Sequence, residues 1–269
     1  MLVAGCSTSS KHSAASGSAT SAPTTTTTLP VVLGPLHRTS EQPVSAVYAQ
    51  GVARIPNGWI FSGTDSLWRT DNALNEVRSL NPAIPAALTA RGFDHIGDID
   101  VIGRYIYAPL EQPDYSKGFQ ATARFDRDTF RFVDAVTLPQ HENSFVSIDP
   151  ETMTAYSMDH FDGNAVLRYD VAHQWKRLPA LHLSRTLHHT QGGDVLDGVL
   201  WISTSDPAND LYGVDLATGA VRANGSMGHA GGEGEGLDAT TLASGSVHTL
   251  CVDPKINPVW FEHWRIAAG

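Results

Sequence analysis

Only two cysteines occur in the chain, Cys6 and Cys251, so no disulfide framework organises it. Positive charge is also scarce: 18 Lys and Arg stand against 28 Asp and Glu, a formal net charge of -10. Phosphate neutralisation needs basic stripes, and none is visible, which argues against nucleic acid as a partner. Cations and neutral molecules are the better ligands for such a surface. No long stretch carries apolar residues at the i, i+3, i+4 rhythm of an amphipathic helix, and no HExxH or DxDxDG motif occurs. What the sequence does have is 24 glycines, 15 prolines and many Thr, Val and Tyr, the composition of short strands and frequent turns. At 269 residues and 41% hydrophobic content it can bury a sizeable core. An all-β domain is expected.

The first thirty residues stand apart. MLVAGC resembles the end of a bacterial lipoprotein signal, with Val3, Ala4 and Gly5 before Cys6, the position that would receive the lipid. Little basic or apolar sequence precedes it, so residues 1–6 read as a truncated signal. Residues 7–30 are almost entirely Ser, Thr, Ala, Gly and Pro and lack the apolar side chains that offset the entropy of ordering. They read as a tether, with the folded domain at 31–269. The layout implies a lipid-anchored, extracytoplasmic monomer that meets the membrane through its anchor only. Lipidation of Cys6 would leave Cys251, in VHTLCV, as a buried strand thiol.

Beyond residue 31 the chain repeats itself. Five apolar runs end on an acid, at Asp65, Glu111, Asp159, Asp206 and Asp253, with separations of 46, 48, 47 and 47. A second series, at Asp71, Asp126, Asp170 and Asp215, reads strand, Asp, turn, strand, and Asp at such positions starts turns by bonding its own backbone. A third opens each unit: AQGVARI, HIGDIDV, NSFVSID, TQGGDVL and GEGEGLD. Units of this length with four short strands are the signature of propeller blades. The sequence predicts a five-bladed β-propeller, with six blades as the second choice. Its last unit lacks a fourth strand, so VVLGPLHRTS at 31–40 is expected to complete that blade and remove an open edge. The insert NPAIPAALTARGF, 81–93, lengthens the link between the first two blades and suits a short helix.

In a propeller the inner strands start at the face where the second strands end. The candidate ligand-binding residues at that mouth are Gln50, His95, Asp98, Glu111, Asn143, Asp159, His189, Gln191, Asp206, Glu233 and Glu235. Asp65, Asp100, His141, Glu142 and His160 are placed near them. Glycines in QGG and GEGEG suit close backbone approach near the axis, and the lack of a following helix excludes a phosphate loop. So many carboxyl groups at close quarters should attract a cation. Their oxygen-rich chemistry favours calcium, with Asp98 and Glu235 as the metal candidates.

HIGD followed by an apolar strand ending in PLE, then QGGDV, EGLD, VHTLCVDP and WFEHW, resembles the markers of bacterial lipoprotein-type five-bladed propellers across residues 93–266. That resemblance implies the fold and no particular reaction. More distantly, QG and EG at blade starts are similar to glutamine cyclotransferases, although EGEGLD replaces the EGWGLT-like signature of that family. The leading expectation is a module that binds a small molecule, a polymer or a cell-envelope protein. Resemblance to propeller lactonases and phosphotriesterases implies the alternative of a calcium-dependent hydrolase with His95 or His189 as base. The cyclotransferase resemblance implies proton transfer by Glu235.

Overall fold

The computed structural model describes residues 33–227, 232–253 and 258–268. The expected lipobox at 1–6, the expected tether at 7–30 and residues 31–32 lie outside them. Within the described residues the expected propeller is present as five antiparallel sheets. Blade I runs from Gly51–Ile55 through Gly58–Gly63 and Ser66–Thr70 to Glu76–Leu80. Blades II to V begin at His95–Ile96, Ser147–Asp149, Thr190–Leu196 and Glu233–Asp238. Each inner strand is followed outward by its sequence neighbours, as alternating apolar runs joined by tight turns require.

The turn aspartates behave as the second repeat series predicts. Asp71 accepts from the amides of Ala73 and Asn75, Asp126 from Thr129, and Asp215 from Ala217 and Thr218. Each carboxylate satisfies amides that the turn would leave without partners. The insert forms a four-residue helix, Ala86–Thr89.

Ring closure also follows the sequence expectation. Leu33–Val44 pairs antiparallel with Val259–Ala268, giving blade V the order closing strand, C-terminal strand, Ser246–Val252, Glu233–Asp238. The N-terminal strand therefore covers an edge that would otherwise be open to pairing with another chain.

Between consecutive blades lie five apolar clusters, one per interface. Ile60 and Leu67 of blade I meet Ile106 and Phe125 of blade II, for example. At the fifth junction Trp59 and Phe61 pack on Leu250 and Phe261 of blade V.

Polar bonds complete the ring near the axis. The inner strand of blade II is interrupted at Gly97–Ile99, and there Asp98 reaches every other blade. Its carboxyl accepts from Val52 of blade I at 3.0 Å, Gly193 of blade IV at 3.0 Å and Leu237 of blade V at 3.1 Å. Its own amide donates to the carbonyl of Ser144, and its carbonyl accepts from Val146, both just before the blade III strand. One step further along the axis the same device recurs between neighbours. Asp100 accepts from Ile148, Asp194 from Ala239 and Asp238 from Arg54, each at 2.6 Å.

Replacing Asp98 by Ala strands three buried amides, each costing on the order of 1–3 kcal/mol when left unsatisfied. Urea unfolding is expected to show a loss of at least about 3 kcal/mol for Asp98→Ala. A loss below about 1 kcal/mol would show that water substitutes for the carboxyl.

Candidate functional site

At the end where the inner strands begin, the blades enclose a cavity of about 360 Å³. Gly97, Asp98, Glu111, Ser144 and Glu235 form a buried floor. Asp94, Pro113, Phe161 and Glu233 form an exposed rim. Gln50, His95, Tyr115, His160 and Gln191 line the wall between. None of these described lining residues is Lys or Arg.

The floor exists because glycine lets the backbones meet. A Cβ on Gly236 would lie 2.6 Å from the Cα of Gly51, and one on Gly193 would lie 2.5 Å from the Phe145 ring. Asp98 then fills the axis, its carboxyl held by the three amides described above. Burial drives its pKa well up, against the pull of those amides.

Glu111 ends the strand Tyr105–Glu111 and pairs across the sheet with His95. Its Oε1 accepts from the Asn143 amide at 2.5 Å. Burial, reinforced by Glu142 and Asp159, pushes its pKa up to about 7. Burial lowers the pKa of His95, favouring the neutral ring. Tyr115 reaches the cavity on a loop tied by Gln112 to Gln120 and Asp114. Burial and the neighbouring Glu111 push its hydroxyl up to about 12. Glu142 braces the opposite wall: its Oε2 accepts from the Phe161 amide at 3.1 Å, and its own amide donates to Asp159 at 3.3 Å. His160, placed by a 3.0 Å contact with the Thr190 carbonyl, has its pKa lowered by burial.

Glu235 differs from all of these. It lies between Gly234 and Gly236, where the pairing register of the inner strand shifts, lines the cavity together with Glu233, and is only 5% exposed. Its carboxyl receives no hydrogen bond from a described residue, and burial, then Glu233 and Asp98, drives its pKa well up. A buried carboxyl without a partner is costly. It lines the cavity, where a ligand can supply that partner.

Of the expected residues, Gln50, His95, Asp98, Glu111, Gln191, Glu233 and Glu235 converge on the cavity. Four do not line it. Asn143 stands behind Glu111, donating to the Ala121 carbonyl and accepting from Gln140 and Ser157. Asp159 braces Glu142, and Asp206 caps its own turn through Ala208 and Tyr212. His189 packs edge-on against His160 and Phe161. Asp100 lies toward the other end of the axis, in a separate cavity of about 400 Å³. Tyr115, Phe161, Pro113, Asp94 and Ser144 also line the cavity and are not marked by the repeat; the first three sit on loops that follow the second strands, where the repeat gives no register.

Calcium takes six to eight oxygens. Asp98 is committed to three amides, and no group of three or more His, Cys, Asp or Glu among the described residues is arranged to hold a metal ion. The residues present do not fit the expected calcium.

No family model matches the chain, and no curated protein does. Among solved structures it is similar to Myxococcus xanthus glutaminyl cyclase, with a TM-score of 0.62 and 12% identity over 86% of this chain and 97% of that one. Kuenenia stuttgartiensis hydrazine synthase aligns at a TM-score of 0.47 and 12% identity, over 81% of this chain and 59% of that one. At these identities the likeness to the cyclase concerns the fold alone. The protein is a five-bladed β-propeller, similar in fold to a glutaminyl cyclase.

The raised carboxyls set the sign of the pH dependence. A carboxyl held near 7 in the fold keeps its proton there while the unfolded chain has already released it, so its contribution to stability is fully present below about pH 4.5 and is lost as pH rises through about 7. For Glu111 alone the full loss by pH 8 is about 3 kcal/mol. Thermal unfolding is expected at a lower temperature at pH 8 than at pH 5, and Glu111→Gln should narrow the difference. Equal sensitivity in the variant would show that Glu111 does not titrate in this range.

Proposed function

We propose that this is an extracytoplasmic propeller, anchored through a lipid on Cys6 and the spacer at 7–30, that binds a small organic cation in its acidic mouth. The observation that carries the binding reading is Glu235, a buried carboxyl with no described donor, facing a cavity that Asp94, Glu111 and Glu233 also line. An ammonium group satisfies it, donating hydrogen bonds and offsetting the mutual repulsion of the acids. The cavity is more than ten times the roughly 30 Å³ of one water, a volume that suits an organic body better than a bare ion. Tyr115 and Phe161 offer rings to that body and to its charge. The side-chain amides of Gln50 and Gln191 offer it both donors and acceptors.

Binding would cost Glu235 its proton, so affinity should climb with rising pH. Calorimetric titration with ethylammonium is expected to show this, with acetate and ethanol failing to bind. Glu235→Gln should weaken ethylammonium at least about tenfold, the worth of a charge-assisted hydrogen bond. Acetate binding as well as ethylammonium would sink the proposal. The anchor is tested separately: labelled fatty acid should be incorporated into the wild type and lost in Cys6→Ser.

A second reading is favoured by Glu235 together with the fold likeness to the cyclase. A peptide amino terminus is itself an ammonium. In that reading Glu235 takes a proton from the α-amine of an N-terminal glutamine as the nitrogen bonds to the side-chain carbonyl carbon. It then returns the proton to the amide nitrogen, which leaves as ammonia. Mass loss of ammonia from a Gln-initiated peptide, abolished by Glu235→Gln, would establish turnover; an unchanged peptide mass would leave binding alone.

A further inference from the structure

The connection between blades I and II is longer than the repeat requires, and it builds a second cavity. Residues 81–93, with the helix Ala86–Thr89, stand over blade I, pinned by the Ala83 amide on the Asp65 carbonyl at 2.6 Å. They border an open space of about 470 Å³ lined by eight residues, five of them apolar, Pro82, Ile84, Ala86, Ala90 and Phe93, and three polar, Asp65, Thr89 and Asp94. Asp94 closes one side of it, and Asp94 also stands on the rim of the acidic mouth. Its position is fixed by its own amide, which donates to the Glu111 carbonyl at 3.1 Å. The two cavities thus share a wall residue that carries a carboxylate, and their linings are opposite in character.

We infer that the two cavities form one elongated site, whose ligand is a free alkylammonium-type molecule with its charged head at Glu235 and an apolar tail of several carbons on the 81–93 insert. This rests on the cation reading of the mouth. The lining decides between a tail of hydrocarbon and one of peptide. A peptide carbonyl laid in the second cavity would find only the Thr89 hydroxyl as a side-chain donor, and that hydroxyl already faces the Pro85 carbonyl. Hydrocarbon asks for no such partner and gains from burial against the exposed Pro82, Ala86 and Ala90. Asp94, beside the path, adds attraction for the positive head and rejects a carboxylate at the same end.

The test is a calorimetric series of ethyl-, butyl-, hexyl- and octylammonium, kept below the concentrations at which the longer members aggregate. Affinity should rise roughly three- to fourfold per added methylene once the chain passes Asp94. Ala90→Trp and Ala86→Trp change exposed positions and fill the second cavity. They should leave ethylammonium binding as it is and abolish the gain with length. If ethylammonium binds but affinity is flat along the series, the elongated site is wrong and the acidic mouth stands. A gain with length that persists in both Trp variants places the tail elsewhere and overturns the inference too. Failure of every amine to bind removes both readings. A dipeptide amide that gains as much from Leu in its second position as the amines gain from added carbons would overturn the free-amine assignment.

Discussion

Everything near the axis depends on the contacts of one residue. Asp98 belongs to blade II, yet its carboxyl and backbone bond to blades I, III, IV and V. A propeller blade touches only its two neighbours along most of its area, so apolar packing fixes adjacent pairs and leaves the ring as a whole free to breathe. A group that bonds across the axis removes that freedom. The glycines around it follow from the same demand: Cβ atoms on Gly51, Gly192 and Gly236 would lie 2.8, 2.8 and 2.9 Å from its carboxyl oxygens. The axis is thereby plugged at this level, which makes the mouth a cup with a floor.

The cup and the far end of the axis are both rich in acid, and they differ in what the acids are doing. Asp100, Asp194 and Asp238 all have raised pKa values, and each accepts from the amide of a neighbouring blade. Those carboxyls are fasteners. Glu111 is intermediate, with one amide partner and one face toward the cavity. Glu235 has the burial of the fasteners but no hydrogen bond to its carboxyl from a described residue. Availability, and not the number of acids, separates a binding surface from a seam.

The repeat made the architecture legible. Acids 46 to 48 residues apart marked the blades, the Asx turns marked their outer hairpins, and a missing fourth strand pointed to 31–40 as its replacement. The candidate site was legible only in part, because a period in sequence fixes which strand a residue joins and says nothing of how far the strand extends. Glu111 lies within its strand and reaches the cavity, whereas Asp159 and Asp206 fall two residues beyond the strands ending at Ser157 and Thr204, and turn into loop contacts. Phe161 and Tyr115 come from loops that differ from blade to blade. Asp98 stands out in the sequence as a carboxyl in excess of the repeat, but nothing in the sequence distinguishes amides from a cation as its partner.

The strand that closes the ring meets residues more than two hundred positions away, as in the Arg38 contact with Glu262 across 224 positions. Blades I to IV are sequence-local hairpins that can collapse as they emerge from synthesis, but blade V cannot form until the last strand arrives. Leu33–Val44 is made first and paired last. During that wait it is a solitary strand exposed to other chains, and its composition suits the interval: Pro35 and Pro43 near its ends, with Arg38 and Glu41 between them, interrupt any run that would pair promiscuously. The residues that look least suited to a β-strand are also the ones that oppose its pairing with another chain.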